Sequence, residues 1–501
     1  MSARPEDCDR ARLERIARRA MAERGLEPDF PPAALAEAQS QPDQDPPGGV
    51  PDLRDLPWCS IDNDSSRDLD QLTVASPEGG GATRVRIAIA DVAARVHPGS
   101  ALDTHAATNT VSVYTAAHIF PMLPERLSTD LTSLIEGEDR ASWVIEFVVG
   151  ADGSVRDAGI ARARVRNQAR LVYGSVGAWL EGRGAAPAPI DTVKGLADTL
   201  RLQDAVAQML RTRRHEAGAL DVDTMEFHAR FDGDRVTGLE ADPRDRARDL
   251  IEDLMIAANG VVARTLEARR LPLLRRVVRA PERWPRIVAV AAEHGVTLPP
   301  GPDARALNGF LNAQRSADPS RFPDLSLTIV KLLGRGRYEA SFPGDTPEPH
   351  FGLAVTEYTH STAPNRRYPD LITQRLLGAS ASGAASPYDR DTLTKLAERC
   401  TDMEDAAQKV ERLMRKAAAA CLLAPHLGET YNGVVTGASP KGTWVRVFHP
   451  PVEGRIDHGG DGLDVGDRVS VKLVHTDVDR GFVDFDRIAH VEVGRRAPAG
   501  P

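Results

Sequence analysis

Residues 61–72, IDNDSSRDLDQL, carry four aspartates, Asp62, Asp64, Asp68 and Asp70, within nine positions. Like charges held this close repel one another, so such a stretch persists either as a solvated loop or because a divalent cation neutralises it. An EF-hand loop starting at Asp62 is excluded by spacing: the turn position that needs glycine holds Arg67, and the closing bidentate acid would be Thr73. A carboxylate-rich Mg²⁺ site remains, in which a hard cation takes a few protein oxygens and completes its shell with water and substrate phosphate. An extended backbone through Asp68, Leu69 and Asp70 would point both carboxylates the same way while Leu69 and Leu72 anchor the segment in the core. The residues alone leave both readings open, the solvated loop and the metal site.

The surrounding chain narrows the class of protein. Its 501 residues, 41% hydrophobic and 27% charged, fit a globular protein of two or three domains. The start, MSARPEDCDRARLERIARRAMAERG, is charged throughout, and no run of 18 apolar residues follows, so a cytoplasmic protein without a membrane span is expected. Cys8, Cys59, Cys400 and Cys421 form no CxxC pair, which argues against a disulfide framework and a thiolate zinc site. The 13 histidines contain no HExxH, and no Walker loop occurs, which removes the ATP-driven helicase class. A net charge of −9 does not advertise a polyanion partner, but charge is local. Arg162, Arg164 and Arg166 alternate along IARARVR on one strand face, either solvated or suited to phosphate, and GRGRY and NRRYPD add further basic points.

Organisation follows from periodicity. Residues 9–26 read as a helix with apolar Leu13, Ile16 and Met21, PDFPPAALAEAQ suggests a second short one, and SQPDQDPPGGVPD closes this arm as a linker. TRVRIAIADVAARV and SWVIEFVV are strands; DLIEDLMIAANGVVARTLEARR and TDMEDAAQKVERLMRKAAAACLLA are long amphipathic helices. From Gly428 onward, β-rich runs punctuated by Gly, Pro and Asp predict a small antiparallel barrel of five strands. The fold class is α+β, a large mixed α/β domain followed by a small OB-type β-barrel.

IDNDSSRDLDQL, IAIADVAARVHPGSALD, VSVYTAAHIFPMLPERLSTDLTSL, LIEDLMIAANGVVA and THSTAPNRRYPDL together, in this order and spacing, resemble the RNB catalytic domain of the ribonuclease II/R family. The terminal barrel is similar to an S1 RNA-binding domain. The resemblance covers roughly residues 55–488 and divides the chain into a helical arm and linker (1–50), an RNB catalytic domain (51–426), an S1-like OB-fold (427–490) and a disordered tail (491–501). It implies a processive, metal-dependent hydrolase that degrades single-stranded RNA from its 3′ end to nucleoside 5′-monophosphates, acting as a monomer with Mg²⁺, or Mn²⁺, as cofactor.

Carried over residue by residue, the resemblance makes Asp62 a metal ligand, Asp70 the group that positions or activates the attacking water, and Asp68 a supporting acid in both roles. The family's fourth aspartate falls on Gln71, a departure that weakens the metal site; Asp64 matches no catalytic position. Tyr114 matches a residue that stacks on a base near the RNA 3′ end, against the plainer reading of a core tyrosine. Arg366 matches an arginine on the scissile phosphate, with Arg367 structural beside Asp370. Glu411 corresponds to a glutamate near the last nucleotide, against the plainer reading of a solvated pair with Arg412. His360 is expected in a structural hydrogen bond. Relatives commonly carry cold-shock-type barrels ahead of the catalytic domain; residues 1–50 are too few for one, so RNA guidance is expected from the catalytic channel and the barrel, with the arm capping the domain or meeting a partner. The competing readings are an RNA-binding protein of the same fold whose catalysis is lost or weakened through Gln71 and, remotely, a Ca²⁺-binding or acidic-loop scaffold.

Overall fold

The computed structural model describes residues 8–43, 49–222, 226–242, 244–319, 321–439 and 442–490. The tail at 491–501 and part of the linker at 40–52 lie outside the described residues. A six-stranded sheet runs Val155–Arg166, Asp139–Val149, Ala82–Ala90, Gln71–Gly79, Cys59–Asp62, Ala169–Val172. Neighbours are antiparallel except the last pair, Cys59–Asp62 with Ala169–Val172, which is parallel. Alternation explains the central strand: Val85, Ile87 and Ile89 are buried, while Arg84 and Arg86 on the other face both pair with Glu146 of the adjacent strand.

Leu196–Ala217 and Arg246–Ala268 pack against this sheet, and further helices pack around them. Arg246–Ala268 starts where the Asp245 carboxylate accepts the backbone N–H groups of Ala247 and Arg248, and Arg390–Leu423 starts on Asp389 in the same manner. Tyr368–Ser382 follows the THSTAPNRR segment and is buried along most of its length. Two more helices, Ala304–Ala317 and Phe322–Leu333, join Trp284–Glu293 around a separate small core of Trp284, Ile287, Phe310 and Ile329.

The last part is a closed barrel of five strands, Thr430–Ser439, Gly442–Val447, Glu453–His458, Arg468–Asp477 and Phe482–His490. Its core does not end at its own walls. Val435, Val445, Val471 and Phe485 belong to one cluster with Val410 and Met414 of the long helix and with Leu13, Ile16 and Met21 of the N-terminal helix Arg10–Ala22. The arm thus caps the junction between domain and barrel. Ion pairs reinforce it: Arg12 reaches Asp479 at 2.7 Å, and Arg446 of the barrel reaches Asp324 at 2.8 Å.

One sequence expectation is corrected here. Cys8 and Cys421 are joined in a disulfide, their Cα atoms 5.7 Å apart, while Cys59 and Cys400 are free and buried. The two bonded residues lie 413 positions apart, so spacing could not pair them. Of the two readings open for IARARVR, the structure shows Arg162 paired with Asp91 and stacked on Trp143, and Arg166 paired with Asp139, both still partly exposed. Among the described residues no helix is long and apolar enough to cross a membrane.

Leu69 and Leu72 are buried as the anchors of the acidic segment. Leu72→Ala should lower unfolding free energy by about 2–5 kcal/mol, seen as a lower urea midpoint at unchanged slope. Val465→Ala, on the barrel surface at 52% exposure, should stay within about 0.5 kcal/mol of wild type.

Candidate active site

The acidic stretch connects two neighbouring antiparallel strands. Asp62 ends Cys59–Asp62 and Asp70 immediately precedes Gln71–Gly79, so the pairing of Cys59 with Thr73 brings both ends of the loop to the same end of the sheet. Asp62 turns its Oδ1 into the loop, accepting the Asn63 N–H (2.8 Å) and the Ser66 hydroxyl (2.7 Å). Residues 133 and 134 hold the other half. Leu69 N–H donates to Ser133 Oγ, the Ser133 hydroxyl donates to the Arg67 carbonyl, and Leu134 N–H donates to the Leu69 carbonyl. These bonds fix the backbone between Asp68 and Asp70.

The facing wall is the loop 361–367. Asp370, fully buried in the first turn of the following helix, accepts the Ala363 N–H and an Arg367 Nη2 hydrogen, both at 2.8 Å. Asn259, from LIEDLMIAAN, accepts the Ser361 N–H and hydroxyl. The turn so held delivers two groups to Asp70: the Asn365 N–H donates to Oδ1 at 2.9 Å, and Arg366 Nε lies 3.4 Å from Oδ2. The same loop carries the tyrosine segment, since Ser112 N–H donates to the Arg366 carbonyl and Tyr368 N–H to the Thr110 carbonyl.

Asp70 is 1% exposed. Burial pushes its carboxyl up to about 8, with the Asp68 carboxylate adding to the rise and the Arg366 guanidinium opposing it. Asp68 is raised as well, first by burial. Among the described residues Asp70 Oδ2 is buried without a hydrogen bond. An orphaned carboxylate oxygen beside a second carboxylate is a donor set suited to a hard divalent cation, which takes one or two protein carboxylates and fills its shell with water and phosphate. The site fits such an ion through Asp70 and Asp68. It is not a closed cage: among the described residues no three His, Cys, Asp or Glu side chains group as a metal site.

The remaining expected residues fall around this centre. The Tyr114 hydroxyl donates to Asp68 Oδ2 at 3.0 Å, and its ring stays 38% exposed rather than entering the core. Glu411 accepts the Tyr114 backbone N–H at 3.0 Å and so fixes the tyrosine segment. Gln71 begins its strand opposite Ile89, half-buried, and its amide makes no hydrogen bond among the described residues. His360 is internal, its Nδ1 2.8 Å from the Tyr338 hydroxyl. Tyr173 and Arg248 were not singled out from sequence. Tyr173, at the start of Tyr173–Leu180, sits where the Asp62 carboxylate adds to the rise that burial gives its hydroxyl, and Arg248 stacks on its ring at 4.6 Å while donating to Asn63 Oδ1. The only signal was an aromatic beside a strand end in LVYGSV, too common to be diagnostic.

A carboxylate loop faces an arginine loop in a mixed α/β domain, followed along the chain by a five-stranded OB-type barrel. The RNB domain family matches residues 50–382, and the chain belongs to it. The RNase II-type exonuclease C-terminal S1 domain matches residues 429–488. Ribonuclease R 1 of Lactococcus lactis is 27% identical over 496 residues, covering 91% of this chain and 59% of that protein. The chain spans about 60% of the length of the curated relatives it matches. Among solved structures, Mycoplasma genitalium RNase R in complex with ribose methylated single-stranded RNA superposes with a TM-score of 0.85 at 22% identity, over 95% of this chain and 78% of that one. Yeast Ssd1, a pseudonuclease, superposes at 0.62 and 15% identity, over 92% of this chain and 58% of that one. These last two speak for the fold alone.

Asp70 also makes a stability prediction. The folded carboxyl keeps its proton up to about pH 8, whereas an unfolded aspartate loses it near ~3.9. The folded state therefore binds more protons between those values, and stability falls as pH rises through that window. In metal-free buffer Asp70→Asn should melt above wild type at about pH 8, with the gap shrinking toward about pH 5. Thermal melts in chelator at both pH values check this; an equal gap at both would contradict it.

Proposed function

We propose that this chain is a processive 3′-to-5′ exoribonuclease that hydrolyses single-stranded RNA to nucleoside 5′-monophosphates, as a cytoplasmic monomer dependent on Mg²⁺, with Mn²⁺ as a substitute. The observation that carries the reading is the buried, hydrogen-bond-free Oδ2 of Asp70 with Asp68 beside it and the Arg366 guanidinium 3.4 Å away. It pairs a basic oxygen with a cation where a phosphodiester would need both.

Asp70 and Asp68, with Asp62 and the Gln71 side-chain carbonyl as further oxygens, would hold a divalent ion, and the chemistry it would supply is neutralisation of phosphate charge and activation of water. The residues of the chain do the rest. Asp70 Oδ2 orients a water and takes its proton as the water oxygen attacks the last phosphorus in line. The bond from phosphorus to the 3′ oxygen of the preceding nucleotide breaks and that oxygen takes up a proton from solvent, leaving a 5′-monophosphate and a strand shortened by one with a new 3′ hydroxyl. Arg366, half-exposed and braced by the 361–367 loop, meets the charge that grows on the phosphoryl oxygens. The exposed Tyr114 ring stacks on a terminal base, a contact indifferent to base identity, and Glu411 holds that ring through the backbone.

Incubation of 5′-labelled single-stranded RNA with Mg²⁺ tests the reading: a ladder shortening from the 3′ end is expected, and RNA left intact would overturn it. Asp70→Asn should bind RNA with near wild-type affinity and turn over about 10²-fold more slowly, because an amide cannot accept the water proton. Gln71 gives the second reading its footing, that of an RNA-binding protein with weakened catalysis, since an amide oxygen brings no charge to the cation. For an active enzyme, Gln71→Asp should lower the Mg²⁺ needed for half-maximal rate; identical titrations would place residue 71 outside the metal shell.

A further inference from the structure

Beside the acidic loop opens a cavity of 530 Å³, lined by Arg211, Arg214, Arg244 and Arg248, by the carboxylates Asp221, Asp249 and Glu252, and by apolar Leu220 and Leu333. Its volume is in the range of small-ligand pockets, and Arg211, Arg214 and Arg244 are paired with carboxylates in or beside its wall, which leaves Arg248, at the side of the acidic loop, as the guanidinium to consider for a phosphate. Arg248 alone of these arginines also touches the acidic loop among the contacts seen. Its Nη2 donates to Asn63 Oδ1 at 2.8 Å, one residue after Asp62. Its guanidinium lies on the Tyr173 ring, 4.6 Å from the centroid, with Nε 3.8 Å from the Asp245 carboxylate that caps its own helix, and its side chain remains 28% exposed. Stacking uses the flat face of a guanidinium and leaves its edge, where the N–H groups are, directed sideways. The group is therefore oriented in advance, with one edge nitrogen on the acidic loop and its place in the cavity wall set by the ring beneath it.

We propose that Arg248 is a second phosphate-binding residue, taking an RNA phosphate upstream of the bond that is cut, on the strand's path from this cavity to Asp62–Asp70. The proposal rests on the exoribonuclease reading for the direction of the strand. Arg366 serves the phosphate being cleaved; Arg248, on the helix Arg246–Ala268, serves one behind it. Because the same guanidinium holds Asn63, a phosphate seated there also steadies the loop that carries Asp62, so RNA long enough to reach Arg248 should be the better substrate.

The test is a binding titration in the Asp70→Asn background, which needs no cleavage, using a fluorescent single-stranded RNA of about ten nucleotides over a range of KCl. Each phosphate contact on single-stranded nucleic acid contributes about 0.7 to the slope of log affinity against log salt. Arg248→Ala should weaken affinity about tenfold at low salt and reduce the slope by about 0.7. Arg248→Gln, which keeps length and polarity, should lose the same slope, so the result does not hang on the folding of one variant. Arg248→Lys should keep the slope, and Asn63→Ala should keep it too. Neutral Arg248 variants with the parental slope, or an Asn63→Ala variant that loses the same slope, would overturn the proposal. Failure of the wild type to shorten RNA would sink the exoribonuclease reading separately, since the titration reports on phosphate contact alone.

Discussion

Everything in this molecule that bears on chemistry converges on one buried carboxylate. Asp70 receives a backbone N–H from Asn365 on one oxygen and only the edge of Arg366 on the other. Removing a carboxylate from water costs several kcal/mol that one hydrogen bond and a guanidinium at that distance do not offset. Its carboxyl consequently holds a proton far above the ordinary aspartate range. The surrounding structure exists to keep that strained arrangement in place. Ser133 and Leu134 clamp the acidic loop from one side, and Asp370 and Asn259 clamp the arginine loop from the other. Either clamp alone would let the two loops relax apart and restore water to Asp70.

The second clamp reaches further than the carboxylate. The loop that presents Asn365 and Arg366 also accepts the Ser112 N–H, so the strand carrying Tyr114 is registered against the same backbone, and Tyr114 returns a hydroxyl to Asp68. Glu411 of the long helix closes the circuit at the Tyr114 N–H. That helix is in turn bonded to the N-terminal arm through Cys8 and Cys421 and shares a core with the barrel. Arm, barrel and candidate site are thus joined through one continuous set of contacts, and this gives the arm a structural task.

The parts legible from sequence were those written in local pattern. Alternation gave the strand around Ile87, period and capping gave the helices at 246–268 and 390–423, and turn spacing gave five barrel strands. The motifs placed Asp62, Asp68, Asp70, Tyr114 and Arg366 in one neighbourhood, and the structure brings them there. What sequence could not show is pairing across long separations. Nothing local marks Arg162 as the partner of Asp91, Cys8 as the partner of Cys421, or Arg248 as the lid of Tyr173. Ser133 and Asn259 are likewise ordinary polar residues until the loops they hold are seen.

The likeness to both an RNase R and a pseudonuclease shows why the fold by itself decides so little. The sheet, the helices packed on it and the barrel are common to both. The proposed cleavage rests on something narrower: one buried carboxylate oxygen without a hydrogen-bond partner, opposite a braced guanidinium. Asp70 Oδ2 and Arg366 have that arrangement, and the loop contacts around them are formed. Gln71 removes one charge from the rim of the site without touching either group, since its amide bonds to neither among the described residues. On the proposed mechanism, a missing charge at that position bears on how tightly a cation would be held, while the carboxylate assigned to accept the proton keeps its place.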